Sequence, residues 1–213
     1  MRHLSTKAQR RGRPGFHSED FSGLMVCAIF FVSGIVIGTF SARTLDTAET
    51  WALYNSISGY LSQIADGTYI SPGFLSVLWS TGRYHLLILF LGFSLLGVLC
   101  LPIVSGMRGF YLSFSIAAFL RAFGTEGWPV AFSLFGVGAL ITVPSFFLLA
   151  SQSFTASAHL GRAVWGTSKV HARTLYHRGY LIRAAICFVG LLAAAAIELY
   201  VTPAFVVWTS SFL

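Results

Sequence analysis

Among the side chains that could act in acid–base or metal chemistry, the 213-residue chain has six histidines, three cysteines and seven acidic residues. His3, His17, His85, His159, His171 and His177 fall in tails, in loops or at the ends of apolar runs. Neither HExxH nor GxSxG occurs, so the spacings that place two metal ligands on one helix face, or a serine on a strained turn, are missing. Acid–base work by paired carboxylates needs two acids at one depth. Glu198 is the one acid inside an apolar run, and Glu126 falls in a turn. No P-loop is present. Cys27, Cys100 and Cys187 form no CxxC pair and no zinc spacing and fit small apolar packing positions. The expectation is a protein without a catalytic set, cofactor site or metal site of its own.

Two polar residues still demand an explanation. A carboxylate such as Glu198, near the end of an apolar span, is costly unless paired, hydrated or protonated, and is a functional candidate by default. The alternative is a structural hydrogen bond, or a pair with Arg121 at a comparable depth. Gly34 and Gly38 make a GxxxG motif whose small residues let helix backbones approach. Packing within the chain and formation of a homo-oligomer use the same physics, and both stay open. His171, Arg173, His177 and Arg178 could contact anionic headgroups.

The elements that must position these residues follow from composition. Hydrophobic residues make up 55% and charged residues 10% of the chain, where a soluble domain carries about 25% charged. The surface must therefore face lipid. The net charge of +7 does not indicate nucleic acid, because the charges lie in short segments between apolar runs and supply no basic face. The fold class expected is all-α, a polytopic membrane protein with about five transmembrane helices and an external amphipathic helix. A basic cytoplasmic tail (1–20) precedes a single membrane domain (21–213). Spans are expected at about 21–40, 84–104, 110–123, 128–151 and 180–200, since ~20 apolar residues cross the hydrocarbon. Ser105-Gly106-Met107-Arg108-Gly109 suggests a tight turn, and Thr202-Pro203 a helix end.

Between the first two spans, in region 41–83, Leu53, Ile57, Tyr60, Leu61 and Ile64 recur at helical spacing among polar residues. That is an amphipathic helix, ended by Asp66-Gly67, with a second short helix possible from Ser71-Pro72 through Phe74 to Trp79. Lys and Arg set the orientation. With the N-terminus inside, eleven lie on the inner side, including Arg108 and those of a basic loop at 153–178, against Arg43, Arg83 and Arg121 outside. A multi-pass cell-membrane protein with a cytoplasmic N-terminus and an external C-terminus is expected. Trp51, Trp79, Trp128 and Trp208 then fall near the outer interface, as an aromatic belt.

Glu198-Leu199-Tyr200-Val201-Thr202-Pro203 closes the Ala-rich last run and resembles the terminal E-x-[YF]-V-[ST]-P of the stage II sporulation protein M family. Length, five spans, the amphipathic segment and the Gly-rich region from Leu89 to Phe154 are also similar to that family. Gly138-Ala139-Leu140-Ile141-Thr142-Val143-Pro144 departs from broader relatives, which often carry a His- and Glu-containing patch in this span. The resemblance implies a non-enzymatic scaffold for forespore engulfment in an endospore-forming bacterium. It would recruit its partners, stage II sporulation proteins D and P, which degrade septal peptidoglycan. The docking surface expected is the stripe Leu53, Ile57, Tyr60, Leu61 and Ile64, because apolar area outside the membrane needs a cover. The rival is a small permease or a membrane subunit of a transporter, with Pro144, Glu198 and Arg121 along a path.

Overall fold

All regular elements among the described residues are helices. The computed structural model describes residues 18–68, 72–165 and 178–210. In chain order they are α1 (Ser18–Arg43), α2 (Thr47–Ala65), α3 (Phe74–Gly92) and α4 (Gly97–Phe123), then α5 (Trp128–Ala131), a π-helical turn (Phe132–Gly136), α6 (Val137–Val164) and α7 (Arg178–Ser210). Among the described residues, five stretches are long and apolar enough to cross a membrane: Phe21–Arg43, Phe74–Gly92, Gly97–Phe123, Thr125–Val164 and Tyr180–Trp208. The protein is a membrane protein of the expected all-α class. The basic tail, and His171, Arg173 and His177 of the basic loop, lie outside the described residues.

Several expected boundaries move, for one reason. The turn between the second and third spans is at Phe93–Leu96, not at Ser105–Gly109. It is built from small residues hidden in apolar sequence. The Ser94 hydroxyl accepts the Leu96 N–H (3.2 Å), while the Ser157 hydroxyl of α6 accepts the Val98 N–H (3.0 Å) and donates to the Ser94 carbonyl (2.5 Å). A side chain at Gly92 would meet Ser153, and one at Gly97 would meet Ser157 and the Leu91 carbonyl. With the turn moved, the second span is Phe74–Gly92, so Phe74–Trp79 opens a span instead of a separate short helix. The third becomes a 27-residue helix, about 40 Å long at 1.5 Å per residue, and the expected shortness of 110–123 disappears.

Ser105, Gly106 and Gly109 serve instead as the surface on which α1 packs. A side chain at Gly34 would strike the Gly106 carbonyl, one at Gly109 the Phe31 carbonyl, and one at Gly38 the Phe110 backbone. The Ser105 hydroxyl donates to the Cys27 carbonyl at 2.8 Å. Cys27 faces Ser105 and Gly38 faces Ser113, so the two helices run parallel. The GxxxG motif is thus used within the chain.

The other two boundaries lengthen helices. Residues 153–164, expected in the basic loop, continue α6, because Ser153 and Ser157 are buried against the Phe93–Leu96 turn. Thr202-Pro203 does not end the last span, since α7 runs on to Ser210 and the Thr202 hydroxyl turns back toward the Ile197 carbonyl (3.4 Å). The core between the spans gathers Cys27, Ile88, Leu101, Phe146, Leu149 and Cys187.

Candidate functional site

α2 caps one end of the bundle. The Asp46 N–H donates to Glu49 Oε2 (3.1 Å), satisfying a group at the helix start. Gly67, with φ of 67°, closes the helix in the left-handed region, where the Thr68 N–H bonds the Gln63 carbonyl (3.0 Å). Arg121, at the end of α4, donates to the Arg43 and Leu45 carbonyls and so fixes the link from α1 to α2. Of the two structural roles considered for Glu198, the pair with Arg121 is not formed, and a hydrogen bond from the Thr81 hydroxyl is (3.1 Å). An arginine at the end of α4 reaches the open carbonyls at the end of its parallel neighbour α1 more readily than a carboxylate on α7.

The apolar stripe of α2 turns inward. Ile64 is buried, and Ile57 and Leu61 pack on Phe119, Val130 and Ala131. Leu53 and Ile57 line a small cavity against Phe114, Ala118 and Phe135, and Tyr60 faces a second beside α7. The protein's own spans are therefore the cover that the stripe needs. The face pointing away carries Trp51, 63% exposed, with Asn55, Ser62 and Gln63, while the Tyr54 ring lies against Phe123, tilted by 34° at 4.9 Å.

Below α2 lies a polar site that sequence reading divided among separate segments. Arg108, assigned above to an inner turn, stands in mid-helix, about 16 Å along α4 from its start at eleven residues of 1.5 Å each. Its guanidinium donates to the Thr142 hydroxyl of α6 (3.3 Å) and lies over the Tyr84 ring (5.3 Å). Glu198 of α7 accepts a hydrogen bond from the Thr81 hydroxyl of α3 (3.1 Å). His85, one turn from Thr81, is buried inside α3 rather than at a span end. Its ring packs edge-on to Phe146 (6.0 Å), beside the Thr81 and Thr142 backbones, with no fully formed hydrogen bond to either ring nitrogen. Four helices thus bring Arg108, Thr142, His85, Thr81 and Glu198 together.

The charged members open on space. A cavity of about 310 Å³ is lined by Arg83, Tyr84, Arg108, Tyr111, Ser115 and Glu198, among others. A neighbouring one of about 310 Å³, under α2, is lined by Ser56, Tyr60, Thr202 and Pro203 and shares Leu134, Phe135 and Glu198 with the first. Leu134 and Phe135 belong to the π-helical turn, an irregularity frequent at functional sites. Among the described residues, no three His, Cys, Asp or Glu side chains gather as metal ligands. The arrangement can hold opposite charges on two walls of one space.

Residues 27–203 match the family model described as stage II sporulation protein M. No curated protein and no solved structure matches the chain.

Proposed function

The chain belongs to the stage II sporulation protein M family, which makes it a sporulation-related membrane protein, and from that premise we propose that it is a non-enzymatic scaffold of forespore engulfment. In this reading it recruits stage II sporulation proteins D and P, which degrade septal peptidoglycan, and holds them at the septum. The observation that carries the reading is α2, an amphipathic helix seated on the bundle by its apolar stripe, with Trp51 and Asn55 left on the outward face. A helix anchored in this way offers partners a surface of fixed orientation without any chemistry of its own. The docking surface is accordingly the outward face of α2, because Leu53, Ile57, Tyr60, Leu61 and Ile64 are held against the spans. In sporulating cells, Trp51→Ala with Asn55→Arg should leave the protein in the membrane at normal abundance. The same change should disperse fluorescent proteins D and P from the septum. Partners that still gather at the septum around this stable double variant would rule out α2 as the dock, and failure of the wild type to retain them would rule out the scaffold.

A second reading, a small permease or transporter subunit, is favoured by the adjoining cavities that share Glu198. Solute uptake by proteoliposomes holding the purified chain would support it, and tight vesicles without uptake would oppose it.

A further inference from the structure

The two charges at the cavity lined by Arg108 and Glu198 are kept apart rather than closed into an ion pair. Each is tethered to a different neighbour, Arg108 to Thr142 of α6 (3.3 Å) and Glu198 to Thr81 of α3 (3.1 Å). One guanidinium donor and one carboxylate oxygen are used in this way, and Arg108 Nε is buried without a partner. Opposite charges left unpaired at membrane depth are expensive; Arg108 is half-buried, while Glu198 is exposed and lines both cavities. A guest that carries both complementary charges would satisfy them together.

We propose that this cavity binds a small zwitterion of amino-acid or dipeptide size, with its carboxylate on Arg108 and its ammonium on Glu198. The volume of about 310 Å³ lies at the lower end of ligand sites and suits such a guest. Tyr111 and Ser115, also in the lining, add hydroxyl groups that can serve a peptide unit. A guanidinium is suited to a carboxylate because its planar fork donates two parallel bonds. Arg83 stands at the same cavity, its guanidinium over Tyr84 at 5.2 Å, and biases the space toward guests that bear a carboxylate. The adjoining cavity beneath α2 shares Leu134, Phe135 and Glu198 with it. The inference does not depend on the scaffold reading, since a scaffold and a permease could each hold such a guest.

The test is calorimetric titration of the purified full chain in nanodiscs with alanine, alanyl-alanine, N-acetyl-alanyl-alanine and alanyl-alanine amide. A free zwitterion should bind, and each blocked dipeptide should bind at least about tenfold more weakly, as expected for loss of a charge-assisted hydrogen bond. Glu198→Gln should erase the preference for the free ammonium while leaving the response to the acetylated peptide unchanged. Ala139→Leu, on the cavity wall, keeps both charges and should abolish binding by filling the space. Glu198→Gln is close in shape to the native residue, so it still decides the matter if the leucine variant fails to fold. Absence of saturable binding by both alanine and alanyl-alanine would overturn the proposal. So would acetylated and free peptides of equal affinity, or binding unchanged in either folded variant.

Discussion

A side chain at Gly34 would stand where the Gly106 carbonyl already is. Because the obstacle is backbone, neither helix can yield by changing a rotamer. Gly34→Leu should therefore cost more than the ~1–3 kcal/mol of ordinary overpacking, seen as a lower melting temperature and lower yield in detergent. Gly59 gives the opposite case, since nothing lies within 4 Å of a side chain placed there in α2. Gly59→Ala should stabilise by about 0.5–1 kcal/mol, the usual helix-interior difference, and the same melts measure it. The Gly34–Gly38 spacing was legible in the sequence. Its partner surface was not, because Ser105-Gly106-Met107-Arg108-Gly109 has the composition of a turn when read alone. That ambiguity also hid the polar site: once Arg108 is placed in a turn, Glu198 is left to seek Arg121, and His85 becomes a span end.

At the level of elements, α2 was legible from its periodicity and its Asp66-Gly67 end, and its contacts now turn the stripe into an anchor. Ile57→Asp with Leu61→Asp would set two carboxylates against Phe119, Val130 and Ala131. Burying unpaired charge costs several kcal/mol, more than the ~1.5–3 kcal/mol gained from each apolar side chain, so α2 should detach. Amide exchange in α2 should rise toward that of a free helix, while exchange in the spans stays slow. Slow exchange in α2 of the double variant would mean that the anchor lies elsewhere. The Phe93–Leu96 turn was illegible for a physical reason. Its signal is Gly92, Ser94 and Gly97 inside a run that includes Phe93, Leu95 and Leu96, so no drop in hydropathy marks it. Ser157→Ala would remove the side chain that bonds Val98 and Ser94. That change should cost about 1–3 kcal/mol, the penalty for a buried polar group left unpaired, measured by thermal denaturation in detergent.

For the whole molecule, five spans put α2 and the Phe93–Leu96 turn at opposite ends of the bundle. Arg83 and Arg108 now lie near the middle of spans, whereas Arg43, Arg121, Arg162 and Arg183 stand within three residues of a span end, which leaves ten Lys and Arg on the expected inner side against Arg43 and Arg121. The charge rule still points the same way. In a background without native cysteines, Gly67→Cys and Gly124→Cys should react with an impermeant maleimide added outside whole cells, and Trp165→Cys only after lysis. Labelling of the Trp165→Cys variant in intact cells would invert the topology. The parallel seam between α1 and α4 also constrains how the molecule is made. Ribosomes deliver α1 first, then α2 and α3, so the groove at Gly34 and Gly38 enters the bilayer before its mate exists. Until Gly106 and Gly109 are synthesised, α1 is an apolar helix held in place by lipid alone. Biogenesis therefore has a late commitment step, and nascent chains halted before α4 should be taken by membrane proteases while those halted after it survive.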